Sequence, residues 1–396
     1  MTGLRTELPV SVRTRLRGLA TGLARWVRTT TYLRKWLFLG CLLGVIAGLG
    51  AVAFYESLTL ATHLFLNDLA GYQVPTPAAE GFLPGSPNFV RPWTLPLIVG
   101  FGGLLAGVLV YTLAPEAEGH GTDAAIEAVH HNPRQVRVLT VAVKIVASAL
   151  TMGSGGSGGR EGPTAQISAG FGSFLARVLD LSPEDGRIAV SIGIGSGIGA
   201  IFSAPLGGAL LSAEILYRDD IEVEAIIPSI IASIIGYTVF GVFMGFKPLF
   251  GYAAPSYQFS HPIQLAWYAL IGIVGGFIGL AYSQNFYGLM GLFKRIPVPP
   301  HFRPAIGGVM VGALAIVIPQ ALGTGYGWIQ KDLGHQLLSL PLWLVLVVPL
   351  AKILTTSLSI SSGGSGGIFG PGMVTGAFTG AAVWRLLAPV APGVTP

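Results

Sequence analysis

The sequence predicts an all-α polytopic membrane protein folded as two inverted repeats with broken and re-entrant helices. Three observations predict it. Hydrophobic residues make up 52% of the 396 and charged residues only 10%, against about 25% charged in a soluble domain. Apolar stretches long enough to cross about 30 Å of hydrocarbon begin near Leu37, Leu95, Leu139, Ile188, Ile226, Leu265, Pro304 and Leu342, with another after Ile368. A Gly/Ser tract also occurs twice: "GSGGSGGREGP" at Gly153 to Pro163 and "SGGSGGIFGP" at Ser362 to Pro371 align without a gap from Ser154 and Ser362 onward.

Residues 1–36 form a basic N-terminal segment. Arg5, Arg13, Arg15, Arg17, Arg25, Arg28, Arg34 and Lys35 stand there, opposed only by Glu7. The net charge of +5 is therefore concentrated at one end, which marks a cytoplasmic N-terminus by the positive-inside rule and not a nucleic-acid surface. The basic region is too long for a cleaved signal peptide. Val10 to Tyr32 is expected to lie as an interfacial helix with Leu16, Leu19, Leu23 and Trp26 toward lipid, the alternative being a disordered basic tail. The single Cys41, inside the first span, excludes an intrachain disulfide.

The first membrane repeat is expected at residues 37–250 and a second, incomplete one at 262–396, with no cytoplasmic regulatory domain. Both tracts follow small-residue helices, "KIVASALTM" and "KILTTSLSI", and Lys144 and Lys352 fall at the same offset. Inverted repeats of this kind place a substrate site near the bilayer midplane on discontinuous helices. The same offset puts the partner of "GSGIGAIFSAPLGGALLSAE", Gly195 to Glu214, past Pro396, so the second repeat is expected to continue beyond the given sequence.

Backbone that leaves a helix inside the membrane must be buried in protein or line a water-filled cavity, and glycine lets it turn and approach a ligand. Pro163 and Pro371 suit early helical positions, where a missing N–H costs nothing. Each tract then ends in a helix start whose free N–H groups and positive dipole end point inward, an arrangement that binds anions. "AIFSAPLGGALLSAE" from Ala200 offers a third helix start and "EGHGTD" at Glu118 to Asp123 a fourth break, although close helix packing also uses such residues. Glu161 is the sharpest feature. A carboxylate near the bilayer centre costs about 2.5–3.5 kcal/mol, part of it recovered at a helix N-terminus. There it would occupy the anion's place until protonated. The plainer alternative is a neutralised Arg160–Glu161 pair.

At these residues the sequence resembles the CLC family of chloride channels and chloride/proton antiporters. "GREGP" at Gly159 to Pro163 and "GIFGP" at Gly367 to Pro371 are similar to two of that family's anion-site motifs, and "FSAPLGGALLSAE" to a third region. The resemblance implies a CLC-like fold, a homodimer with one pathway per subunit, and a multi-pass location in the cell membrane. It implies Glu161 as the gating glutamate. Gly159, Arg160, Gly162, Gly367, Ile368, Phe369 and Gly370 would supply backbone around the anion. The family's "GSGIP" motif aligns with "GHGTD", which puts His120 at the usual Ser position and Thr122 nearby as anion-binding candidates. Where exchangers carry two acids after the "AP" helix start, this chain reads Glu214-Ile215, leaving Glu214 as the candidate for a proton pathway. The family's central-site Tyr belongs to later helices.

Other classes fit less well. A P-loop fits poorly, since no Gly-Lys-Ser/Thr follows the glycines and no soluble strand precedes them, and the seven histidines show no H-E-x-x-H spacing. No metal, cofactor or enzymatic role is expected. His130-His131 reads as a solvated face near Arg134 and Arg137. A cation-coupled transporter would need more intramembrane acids, and a membrane scaffold leaves inward-facing helix starts without purpose. The expected function is transport of small inorganic anions, most simply chloride, by a channel or a proton-coupled exchanger gated by Glu161. The alternative is an inverted-repeat transporter for fluoride, nitrate or a cation-coupled solute.

Overall fold

The computed structural model describes residues 22–85, 90–217, 220–251 and 262–389. Most of the expected interfacial helix, including Leu16 and Leu19, lies outside these residues. Its described end forms a short helix, α1 (22–29), that stops before Thr31. Leu23 packs, with buried Val27, against the cluster around Trp36, Leu175 and Leu181 and does not simply face lipid, whereas Trp26 is exposed.

Thirteen further α-helices follow among the described residues: α2 Tyr32–Thr62, α3 Leu95–Leu113, α4 Thr122–His130, α5 Val138–Gly153, α6 Glu161–Val178, α7 Pro183–Ile201, α8 Pro205–Glu214, α9 Val223–Met244, α10 Gln264–Arg295, α11 Arg303–Ala315, α12 Tyr326–Leu333, α13 Leu342–Ser361 and α14 Phe369–Leu387. The largest departures from the expected starts are Tyr32 in place of Leu37 and Pro183 in place of Ile188. Both first turns are polar and so invisible to hydropathy. In α7, Ser182 caps the helix by accepting from the Asp185 N–H, and Pro183 sits in the first turn.

Among the described residues, five stretches are long and apolar enough to cross a membrane: Tyr32–Ala70, Pro92–Leu113, Val223–Met244, Gln264–Arg295 and Leu342–Ser361. The first includes a π-helical extension of α2, His63–Ala70, ended by left-handed Gly71. The helices between them are shorter or less apolar, and α6 and α7 are buried along most of their length. Ion pairs mark one face of the molecule, called here the near face. Arg28 and Arg134 both pair with Asp180 after α6, and Lys35 reaches Asp185 at 2.6 Å. The Arg28 hydrogen bond and charge, then those of Arg134, hold the Asp180 carboxyl below its usual range.

Small residues set the helix spacing. On α3 and α11, Gly103 faces the Pro304 carbonyl, Gly308 the Val99 carbonyl and Gly312 the Leu95 carbonyl, each with no room for a methyl group. Close backbone approach of this kind is how membrane helices gain packing energy where lipid offers no hydrophobic drive. By contrast, Gly276 on α10 and Gly376 on α14 face open space. Gly103→Val is expected to lower the thermal unfolding midpoint in detergent by several degrees, with Gly276→Ala unchanged. Equal midpoints for both variants would show that the α3–α11 contact is not under close packing.

Candidate anion site

The duplicated tract is a cross-brace. Where α5 and α13 end, Gly155 and Gly363 turn the chain with φ of 114° and 103°, a region that only glycine enters cheaply. Each tract is then held by the helix of the other repeat. Ser157 Oγ lies 2.7 Å from Thr356 Oγ1, and Ser365 Oγ lies 2.9 Å from Ser148 Oγ. The Ser157 N–H donates to Ser359 Oγ at 2.8 Å, and the Ser365 N–H to Thr151 Oγ1 at 3.3 Å. In the middle, Gly159 N–H donates to Gly367 O at 2.8 Å while Gly367 N–H donates to Gly159 O at 2.7 Å. All these pairs exchange under the 208-residue offset, so backbone outside helices is satisfied by its own repeat mate.

The loops leading into α4 and α12 repeat the same logic. "PEAEGHGTD" from Pro115 and "PQALGTGYG" from Pro319 correspond at a 204-residue offset. Gly121 and Gly325, with φ of 87° and 79°, stand at the two N-caps. The carbonyls these turns release are collected by the buried lysines. Lys144 Nζ donates to Ala117 O at 3.0 Å and Gly119 O at 2.9 Å. Lys352 Nζ donates to Ala321 O at 3.2 Å, Leu322 O at 3.3 Å and Gly323 O at 2.7 Å.

Glu161 opens α6 at this junction and is 8% exposed. Its carboxylate accepts the N–H of Phe369, the first residue of α14, at 2.5 Å. The amides of Glu161 itself and Gly370 add to the cradle. Tyr326, the first residue of α12, offers its hydroxyl at 3.5 Å and also lies 3.4 Å from the Arg160 N–H. A Cβ on Gly159 or on Gly367 would collide with the carboxylate, so both glycines are needed for the side chain to lie where it does. The N-termini of α6 and α14 thus meet around one carboxylate, with a side-chain hydroxyl from the first residue of α12 beside them, and helix N-termini so placed bind negative charge.

Other sequence-predicted residues fall as follows. Arg160 does not pair with Glu161. Its guanidinium reaches Glu80 at 2.5 Å, between the rings of Tyr55 and Tyr326. Gly162 packs against the His120 carbonyl, while the His120 ring turns to Asp123, with Nε2 at 3.1 Å, and to Phe286. His120 therefore meets the junction through its backbone. Thr122 begins α4 and is half-buried. The Ile368 carbonyl accepts the Tyr282 hydroxyl at 2.8 Å, and the Phe369 ring is exposed. Glu214 is exposed at the end of α8, next to Ala213, whose carbonyl accepts the Glu222 N–H at 3.1 Å. His130 is more than a solvated residue, because its Nε2 lies 2.6 Å from Leu216 O and its ring stacks edge-on with Tyr217. Tyr326 and Glu80 were not singled out from sequence. The "PQALGTGYG" echo pointed to Tyr326, but its register differs from the tract's by four residues. Nothing in the sequence pointed to Glu80.

Fold and site together define a class: an inverted-repeat membrane protein with helix N-termini cradling a buried carboxylate between its repeats. The chain belongs to the voltage gated chloride channel family, whose sequence model matches residues 102–396. It is 31% identical to the H(+)/Cl(-) exchange transporter ClcA of Salmonella agona over 361 residues, which is 87% of this chain and 71% of that protein. It is 28% identical to the voltage-gated ClC-type chloride channel ClcB of Salmonella typhimurium over 353 residues, 88% of this chain and 80% of that one. Among solved structures, a slow cyanobacterial Cl-/H+ antiporter superimposes with a TM-score of 0.73 at 21% identity, covering 90% of this chain and 80% of the other. A CLC-type fluoride/proton antiporter gives 0.73 at 21%, covering 91% and 83%.

The lysine anchors generate a stability prediction. Lys352→Met leaves the Leu322 and Gly323 carbonyls without their donor, while Ala321 O keeps the Thr355 hydroxyl at 3.1 Å, and each unsatisfied buried group costs about 1–3 kcal/mol. The variant is expected to unfold at clearly lower denaturant than the parent when followed by tryptophan fluorescence in detergent. An unchanged midpoint would mean that the loop carbonyls find other partners.

Proposed function

We propose that the protein moves small inorganic anions, chloride foremost, across the cell membrane, and that Glu161 is the gate. The observation that carries this reading is the Glu161 carboxylate accepting the Phe369 N–H at 2.5 Å. A negatively charged group sits where helix N-termini from two repeats offer donors, so it stands in for the transported anion. Donors of this type favour anions over cations. A cation-coupled pathway would present carbonyls instead, and the free carbonyls near this junction are taken by Lys144 and Lys352.

Movement of protons and anions is linked through that occupancy. The ionised carboxylate competes with an anion for the cradle, whereas the protonated form loses its charge and yields the place. Flux is thus expected to rise as pH falls. Gly159, Arg160, Gly162, Gly367, Ile368, Phe369 and Gly370 are the proposed lining, with His120 and Thr122 at its near-face end. Glu214, exposed beside the start of α9, is the proposed proton port. The near face is assigned to the cytoplasm from the basic N-terminal segment, and a homodimer with one pathway per subunit follows the family resemblance. The reading is one of transport and not of catalysis.

In proteoliposomes, Glu161→Gln is expected to remove the pH dependence and to hold flux near the acid maximum of the parent. A pH profile identical to the parent's would overturn the gating assignment. Gly367→Ala is expected to act in the same direction, because its methyl group displaces the carboxylate and raises flux at neutral pH several-fold. A lower neutral-pH flux in a folded Gly367→Ala protein would count against occupancy as the gating mechanism. Exchange and channel conduction separate by whether a pH gradient shifts the zero-current voltage at a fixed chloride gradient.

A further inference from the structure

The gate has a charged neighbour with an unexpected partner. Arg160 precedes Glu161 directly, yet its guanidinium is paired at 2.5 Å with Glu80, on a helical turn in the connection between α2 and α3. Both side chains are largely buried, at 6% and 15% exposure. The turn carrying Glu80 is built into place. Its Ala78 N–H donates to Gln330 Oε1 on α12 at 3.3 Å and its Ala79 N–H to Leu249 O at 3.3 Å. Thr76 Oγ1 receives the Leu83 N–H at 2.9 Å and donates to Glu80 O at 3.2 Å. Gly327 of α12 accepts the Pro75 carbonyl against its Cα with no room for a side chain.

This strap lies over the far-face end of the site, where a cavity of about 210 Å³ is lined by Tyr55, Thr62, Glu80, Arg160 and Thr324. Tyr326 links the two halves, since one face of its ring carries the guanidinium and its hydroxyl points to the Glu161 carboxylate. Other charged or titratable groups face the cluster: Tyr55 from α2, Tyr282 from α10, Lys247 from the segment after α9, and His63, which pairs with Asp68. Lys144 and Lys352 are committed to loop carbonyls.

We infer that Glu80 is a positioning residue for transport: by neutralising and holding Arg160 it sets how strongly the far-face mouth attracts anions and how readily Glu161 is protonated. With Glu80 ionised, an incoming anion meets a neutral pair. Without it, a desolvated guanidinium stands beside the cradle. That cation strengthens anion binding, and it also favours the ionised, blocking form of Glu161. An opposite charge within reach typically moves a carboxyl's titration by 1–3 units.

The inference rests on the gating reading above, and the experiment separates the two. Chloride flux into proteoliposomes is measured against pH and chloride for the parent, Glu161→Gln, Glu80→Gln, Glu80→Asp and Glu80→Gln/Arg160→Gln. Glu80→Gln is expected to move the flux–pH midpoint down by about one unit. Well below that midpoint, where Glu161 is neutral, its KM for chloride is expected to fall several-fold. Glu80→Asp, with the charge on a shorter arm, is expected to shift both quantities less and in the same direction, and it decides the matter if Glu80→Gln does not fold. The double variant is expected to lose both shifts, because they act through Arg160. If Glu161→Gln abolishes pH dependence while the Glu80 variants keep the parent's midpoint and KM, the inference fails and the gating reading stands. If the parent shows no pH dependence at all, both fail together.

Discussion

The reciprocal pair of hydrogen bonds between Gly159 and Gly367 is the constraint on which the rest of the architecture depends. Two stretches of chain leave their helices deep inside the protein, and neither can find water for its amide groups. Each satisfies the other, and the exchange is possible only when the two repeats run in opposite senses, as the antiparallel geometry of the bridge requires. Glycine is needed on both sides because any Cβ would fill the space the Glu161 carboxylate occupies. One pair of residues thus fixes the relation between the repeats and the shape of the cradle they share.

That cradle is nearly symmetric in its backbone and asymmetric in its side chains. Glu161 and Phe369 hold equivalent positions at the first residues of α6 and α14. The carboxylate turns in and takes the other helix's N–H, whereas the phenyl ring turns out and is 61% exposed. Burying a carboxylate at mid-membrane costs about 2.5–3.5 kcal/mol, and hydrogen bonds to a charged group return about 1.5–3 kcal/mol each. Two or three amides therefore suffice to hold it. What holds the group is its charge, so losing that charge weakens the hold.

How much of this was legible in the sequence depended on whether the signal was local. The tract, its duplication, the two lysines and the intramembrane glutamate all sit within short windows, and the helix starts at Leu95, Val138 and Leu342 follow from hydropathy and proline placement. Tyr326 escaped because the echo of "PEAEGHGTD" in "PQALGTGYG" runs four residues out of register with the tract, α13 (20 residues) being four residues longer than α5 (16 residues). The His120 ring was readable as a donor but not its direction, which Asp123 and Phe286 decide. Arg160 was readable as a charge beside Glu161, but its partner stands 80 residues earlier in a loop with no motif of its own. Pairings fixed by tertiary packing leave no local trace.

The buried charges around the junction close the argument. Lys352 donates to three carbonyls at once, which uses all three hydrogens of an ammonium and exceeds what a neutral amine offers. Lys144 is its counterpart under the repeat, and Arg160 adds a third cation. Glu80 and Glu161 supply two negative charges against them. Protonating Glu161 adds one positive charge to the sum of this set. In a medium less polarisable than water, that difference is felt strongly at a few ångströms. On the proposed gating reading, protonation therefore acts twice: it removes the carboxylate that competes for the amides, and it raises the attraction for an anion that replaces it.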